Sequence, residues 1–493
     1  MRWFLLLGLA VVGVITGMAA ALFGGPTALV LFAPVLPMLF IVRDYRVGVA
    51  CLTLLLPWSA SPLLPQTSGF NVNNYLIAAT LLAFVFQTMM RRRDLVKPPT
   101  YFVVCYLVPI TFGILIAWPY LAQGARNVGL VDAPFYEPFS FLRSRYLKPL
   151  GYVLFAWLLA NAVRVSKKPE RWLALMVAGA VLPSIAVFVL IAFYGITLSQ
   201  LQAQRGFMGP LGYHANEMGL MLMSAAGPML FIVGGIRNVL VRALCAVSLA
   251  VVAAAVVLSF SRGALLALLV IVLLYLLHTR RIAVMLVAVV LAVIGLIAAP
   301  DAVRERVTTG MQSGAVAQAT ERLDDPLTAG RVAVWRLLLP EVAKSPVWGR
   351  GLGSTSWSDA VGSGIYAANH PHNLYLEILL DLGLLGLMAI LYVYYRHLRG
   401  CWRLSHHDGL SPLMRRFFAG AGASFVGVLV MGMTNGHFMP VPEQTFIWFS
   451  LGLLFAHLHL VPDAQAAGVG QPRKRGFGMR PAPLDRATGR RPT

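Results

Sequence analysis

The run Asn369-His370-Pro371-His372-Asn373 sets two imidazoles two residues apart, where a long polar stretch meets an apolar segment beginning near Leu374. Imidazole, with an ordinary pKa of about 6.5, is the side chain best able to take and return a proton near neutral pH. Three arginines also interrupt the apolar pattern. Arg205 precedes Gly206-Phe207-Met208-Gly209, Arg262 lies in Ser259-Phe260-Ser261-Arg262-Gly263, and Arg331 opens a stretch of helical spacing. The turn at Arg262 is so tight that its side chain must lie near a membrane edge, where an ionisable group needs water, a partner or a ligand. Guanidinium forks fit phosphate bidentately and keep their protons, and a diphosphate needs more than one of them. Blander roles stand beside these: snorkelling for Arg262, and a helix-cap or core position for His372, with Asn369 or Asn373 as the N-cap.

The remaining polar motifs are weaker. Tyr213-His214-Ala215-Asn216-Glu217 caps the segment that follows, with His214 and Asn216 also within reach of a ligand. Gly349-Arg350-Gly351-Leu352-Gly353 has the look of a phosphate loop, yet no strand precedes it, and a turn is expected. His406-His407-Asp408 reads as a solvated turn, and His457 and His459 suggest nothing specific. Glu377 and Asp381, one and two turns into the segment after His372, are expected to stabilise the helix or face the core. Asp324-Asp325 reads as a solvated turn, so no carboxylate set calls for a metal and none is expected. Cys51, Cys105, Cys245 and Cys401 lack the spacing of a disulfide framework or a zinc site.

The elements that must position these residues are set by hydropathy. The chain has 493 residues, 58% of them hydrophobic and 12% charged, with a mean hydropathy of +0.74. That composition excludes a soluble domain and predicts an all-α, polytopic membrane bundle of about 12–14 spans. Spans are predicted at Tyr75–Met90, Phe102–Leu121, Gly151–Val163, Trp172–Ile196, Glu217–Val233, Leu240–Phe260, Gly263–Leu277 and Ile282–Ala298. Three more are predicted at Leu374–Tyr395, Phe417–Met433 and Phe446–Leu460. Val47 to Leu64 is interrupted by Pro57 and Pro62, with Pro65 just beyond, and is expected to kink or re-enter. Trp3 to Phe23 is long for a signal peptide and is expected to be a retained helix.

The net charge of +21 is dispersed over loops, which argues against nucleic acid. Basic clusters at Arg43 and Arg46, Arg91 to Arg93, Arg164 to Arg171, Arg237 and Arg242, Arg280 and Arg281, and Arg396 to Arg416 are each separated by two apolar passes. The positive-inside rule then puts both termini in the cytoplasm and His372 outside it. Four regions follow: residues 1–299 form an N-terminal transmembrane bundle, 300–372 a loop domain, 373–461 C-terminal spans, and 462–493 a basic tail expected to be disordered. Within the loop domain, Asp301 to Arg322 and Gly330 to Lys344 have the spacing of amphipathic helices. Trp335, Trp348 and Trp357 argue that the loop is ordered at an interface.

Arg205, Asn216-Glu217, Ser261-Arg262-Gly263, Gly330-Arg331 with Trp335, Gly349 to Gly353 and His370-Pro371-His372-Asn373, in this order, resemble the O-antigen ligase and polymerase superfamily. Those polytopic bacterial glycosyltransferases carry a large periplasmic loop that ends in a His-any-His-Asn type motif. The likeness runs from Gln204 to Tyr395 in motifs and elsewhere only in hydropathy. It implies a fold similar to the GT-C type and transfer of a glycan from an undecaprenyl-diphosphate carrier to an acceptor hydroxyl on the periplasmic face of the inner membrane. It also implies chemistry without metal or other cofactor. The acceptor would be lipid A core in a ligase, another lipid-linked repeat in a polymerase, or a protein side chain in an oligosaccharyltransferase.

By the same likeness, His372 matches the proposed base, Arg205 and Arg262 the arginines that hold the diphosphate, and His370 a supporting histidine. Arg331 matches an arginine at the start of the loop domain. Asn373, His214 and Asn216 are further substrate-binding candidates. The direct displacement would invert the anomeric centre, because a covalent intermediate needs a carboxylate nucleophile. A transporter or flippase for the same lipid-linked glycans is the rival of another class, but such proteins favour repeated halves and mid-depth charges, whereas the polar residues here cluster at one face.

Overall fold

The computed structural model describes residues 35–62, 66–67, 70–91, 94–129, 133–197, 205–281, 283, 331–366 and 370–461. The predicted elements at Trp3–Phe23, Asp301–Arg322 and most of Ile282–Ala298, the residues Asn369 and Asp324-Asp325, and the tail from 462 lie outside these. The regular elements among the described residues are helices apart from one antiparallel pair, Gln66–Thr67 with Phe70–Asn71. Among the described residues, eight helices are long and apolar enough to cross a membrane.

The helices run in the order α1 (Val35–Arg43), α2 (Tyr45–Leu55), α3 (Val72–Arg91), α4 (Thr100–Val128), α5 (Pro138–Arg164), α6 (Arg171–Phe193), α7 (Ala215–Val233) and α8 (Val239–Leu258). They continue with α9 (Arg262–His278), α10 (Arg331–Ala343), α11 (Leu374–Ser405), α12 (Pro412–Gly432) and α13 (Thr445–His457). Polar caps fix several starts. Asp44 accepts from the Arg46 amide, Ser261 from Ala264, and Ser411 from Met414. As expected, the proline-rich stretch after Val47 stays helical only to Leu55, then tightens into a 3-10 turn at Leu56–Trp58.

Helix α7 is the axis of the bundle, with 78% of its apolar window buried, whereas α8 buries only 17% and presents the rest outward. Small residues let the axis be approached closely. A Cβ on Gly420 would stand 2.7 Å from the Gly227 carbonyl oxygen, so α7 and α12 touch backbone to backbone. Close approach of this kind drives helix association where apolar burial gives no bias between protein and lipid.

Helix α11 differs from its prediction at both levels. It continues past Tyr395 to Ser405, because Arg396 stacks over the rings of Tyr101 and Tyr392, and Arg399 over Tyr395, as the helix leaves the apolar zone. It is also broken at Gly383, whose φ is 66°. The loop after α10 docks into this break: Arg350 and Gly351 amides donate to the Leu380 and Asp381 carbonyls, and the Leu384 amide donates to Pro346. The backbone groups freed by the kink are thereby satisfied, as an apolar setting requires.

Candidate active site at the head of helix α11

Asn373 caps α11, its Oδ1 accepting from the Tyr375 and Leu376 amides at 3.0 Å each. To bring the chain into that cap, His372 adopts φ 53°, a left-handed conformation uncommon for a side chain with a Cβ. Such a residue persists only where its surroundings hold it. Here Trp335 of α10 donates Nε1–H to the Pro371 carbonyl at 3.1 Å, and Tyr366 donates its hydroxyl to the His370 carbonyl at 2.6 Å. Helix α10, predicted over Gly330 to Lys344, is itself seated by Val334 and Leu338 packing with Tyr366, Leu376 and Leu380.

A second strand of chain completes the cluster. Between α12 and α13, the loop Thr434 to Val441 brings His437 against His370, with ring centroids 3.9 Å apart, while the His370 and His372 rings stand 5.0 Å apart. Glu377, one turn into α11, receives both inner imidazoles: Oε1 lies 3.0 Å from His437 Nδ1 and 3.5 Å from His370 Nδ1. Gln444 holds the loop by donating to the His437 carbonyl, and Tyr106 donates to that of Phe438 at 2.7 Å.

The three histidines are electrostatically unlike. Burial, with smaller pushes from His370 and Arg331, lowers the His372 pKa to about 3, although an Asn435 side chain favours its charged form. Burial and His437 lower His370 to about 4. His437 is also penalised by burial, but the Glu377 carboxylate outweighs this and raises it above its ordinary value. The Glu377 carboxylate thus favours the charged form of His437, while burial keeps His370 and His372 neutral at neutral pH.

His370, Glu377 and His437 are also the residues that could hold a cation, since one ligand atom from each lies within 4.8 Å of the others. The rings, however, are nearly stacked. Two imidazoles on one tetrahedral ion at bond lengths of 2.0–2.1 Å would hold their centroids roughly 5 Å apart, against 3.9 Å here.

The predicted site residues fall into two sets. His370, His372, Asn373 and Arg331 are brought together, with Arg331 close enough to depress His372. Arg262 begins α9 at the same end of the bundle. Its neighbour Gly263 faces Thr434, a Cβ there standing 3.2 Å from Oγ1, one residue from Asn435. His214 and Asn216 open α7, where the His214 amide donates to Glu217 at 2.8 Å, the capping role expected. Arg205 begins the 3-10 helix Arg205–Leu211 ahead of α7; its side chain lies outside the described residues.

Glu377 was expected only to stabilise or face the core; it is buried and central to the cluster. Asp381 is buried and accepts from the Gly353 and Ser354 amides and the Ser354 hydroxyl, at 2.9, 2.9 and 2.6 Å. The glycine-rich loop is the expected turn. His437 and Arg145 were missed. Arg145 sits within α5 beside Gly353 and acts against the charged forms of His370 and His437. A pair of arginines, Arg143 and Arg145, at the edge of an apolar segment was the available signal.

The fold and this site define a multi-pass membrane protein with a buried histidine cluster, flanked by Arg331 and Arg145, at one end of its bundle. Residues 245–391, which hold Arg262, Arg331, His370, His372 and Glu377, match the O-Antigen ligase family model (Wzy_C). The chain is similar to a candidate polysaccharide ligase of Rickettsia conorii, 27% identical over 150 residues, covering 28% of this chain and 33% of that protein. A candidate polysaccharide ligase of Rickettsia bellii is 26% identical over 119 residues, covering 22% of this chain and 27% of the relative. The chain thus spans about a third or less of the curated relatives it matches.

Proposed function

We propose that the protein is a metal-independent glycosyltransferase of the polysaccharide ligase type, moving a glycan from undecaprenyl diphosphate to an acceptor hydroxyl. The observation that carries this reading is the head of α11, where a neutral imidazole, His372, stands beside Arg331 within the segment matched to the ligase family. His372 takes the proton of the acceptor hydroxyl as that oxygen attacks the anomeric carbon from the face opposite the diphosphate. The C–O bond to the diphosphate breaks, its electron pair stays on the departing oxygen, and the anomeric configuration inverts. Arg205, Arg262 and Arg331 stabilise the charge that develops there, so no strong acid is needed.

The same geometry supplies a reason for donor binding to precede proton transfer. Arg331 disfavours imidazolium at His372, and an arriving diphosphate offsets that cation. The base gains strength when its substrate is in place.

The arginines Arg164, Arg396, Arg399, Arg403 and Arg415 lie at the opposite end from the histidines, where α5 and α11 finish and α12 starts. By the positive-inside rule that end is cytoplasmic, which supports a periplasmic site in the bacterial inner membrane and a GT-C-like arrangement. Lipid A core is the acceptor we favour. Purified protein in lipid nanodiscs, given radiolabelled undecaprenyl-diphosphate glycan and lipid A core, should form a new glycosidic bond; label that stays on the lipid carrier with every acceptor tried would overturn the reading. In cells, loss of the gene should leave unsubstituted core, whereas core bearing one repeat would instead identify a polymerase.

A further inference from the structure

The turn after α10 meets α11 well away from its head. The Pro346 carbonyl accepts from the Leu384 amide at 2.8 Å, and the Val347 carbonyl from the Leu385 amide at 3.2 Å. Leu384 lies ten residues along α11 from Leu374, about 15 Å at the helical rise of 1.5 Å per residue. Helix α11 is among those long and apolar enough to cross a membrane, so the turn stands at the level of its lipid-facing side chains. We propose that turn 345–348 and the outer face of α10 are seated in the bilayer leaflet on the histidine side, in direct contact with lipid.

The surface there is apolar and continuous. Val347, Trp348, Leu384, Leu385 and Met388 are all exposed, Trp348 at 64%, and the two backbone bonds join the turn to α11 as one patch. Leu339, Pro340 and Ala343 carry exposed apolar surface along α10 toward the turn, while Val334, Leu338 and Glu341 are buried. An indole at a bilayer boundary covers its ring with acyl carbons and keeps its N–H among the headgroups.

The charges beside the turn are already paired. Lys344 Nζ lies 2.9 Å from Glu341 Oε1 and 2.7 Å from Asp359 Oδ2, and Arg350 Nη1 lies 2.5 Å from Glu341 Oε2. Arg350 also stacks over Tyr120, 5.2 Å from its ring centroid. Two cations thus balance two carboxylates on either side of Pro346, Val347 and Trp348, which is the condition for lying against an apolar layer without a large desolvation cost. The break at Gly383 agrees: its freed amides find carbonyls of the turn rather than water, as non-helical backbone at membrane depth must. A soluble partner would have no need of that pairing. The seating is independent of the transfer chemistry, so its failure would leave the proposed function standing.

The test is quenching of tryptophan emission from full-length protein in lipid nanodiscs, comparing the wild type with Trp348→Phe. The emission that this substitution removes is the signal of Trp348. Phosphatidylcholine brominated high in its acyl chains should quench at least half of that signal, and aqueous iodide should quench little of it. Iodide quenching as complete as that of a free indole in solution overturns the proposal. Quenching by neither reagent also overturns it, since the ring would then be covered by protein, a second copy of the chain included. Should Trp348→Phe fail to fold, melting temperatures of Val347→Asp and Val347→Thr in nanodiscs decide. A carboxylate placed in lipid should melt clearly below the hydroxyl variant, whereas a turn standing in water tolerates both, and equal melting ends the proposal.

Discussion

His437 Nδ1 lies 3.0 Å from Glu377 Oε1, a contact across sixty residues that ties the α12–α13 loop to the first turn of α11. It places an imidazole whose charged form the carboxylate favours directly behind the other two, and it ties the cluster to a residue outside the segment matched to the ligase family.

His372→Ala should lower glycan transfer by about 10²–10⁴-fold, the usual worth of a positioned general base, while the protein remains inserted and abundant. Transfer assays on purified variant and wild type, normalised to folded protein, provide the check. Near-normal turnover would remove His372 from the proposed role.

The acid limb of the rate profile should reflect a base that is already neutral. With the His372 pKa lowered to about 3 in the free protein, kcat/KM should not fall at the ordinary imidazole value near 6.5 but well below it. A limb centred on 6.5 would mean that another group is the base.

Removing His437 should cost more stability at low pH than at high pH. Its folded pKa is raised, so its pairing with Glu377 stabilises fully below the unfolded value of about 6.5 and is lost as pH rises through the folded value. His370, lowered to about 4, has the opposite sign: its contribution is present above 6.5 and is lost as pH falls toward 4. The melting-temperature gap between wild type and His437→Gln should therefore be wider at pH 6 than at pH 9, and a gap that widens with rising pH would contradict the ion pair.

Arg331→Gln should reduce kcat/KM for the lipid-linked donor by roughly 10–100-fold, the worth of one hydrogen bond to a charged group. Arg331→Gln should also raise the His372 pKa, because a neighbouring cation is gone. Steady-state kinetics against donor concentration separate this from misfolding.

Gly349→Ala should destabilise by several kcal/mol from positive φ and overpacking together, since its φ is 72° and a Cβ would sit 2.4 Å from the Asp381 carbonyl oxygen. Thermal melts in detergent would report it.

Much of the bundle was legible because apolar length is a local property. The spans from Tyr75 onward in the described residues, the helix after Gly330 and the cap at Asn373 all follow from neighbouring residues. His372 was legible too, through a motif. His437 was not: a lone histidine between two spans carries no spacing, and its meaning comes from Glu377, to which only tertiary packing joins it. Arg145 was hidden differently, by a span expected to begin at Gly151 when α5 begins at Pro138. The glycine-rich turn was readable as a turn, but its destination, the gap at Gly383, depends on a kink that no local pattern announces.

That gap has a bearing on how such proteins can be recombined. Because the chain before His370 and the upper half of α11 complete one another's backbone pairing at Leu380, Asp381 and Leu384, neither half is a transplantable cassette. A chimera that exchanges acceptor preference between relatives should be spliced below Leu385, carrying loop and helix top as a single inherited block.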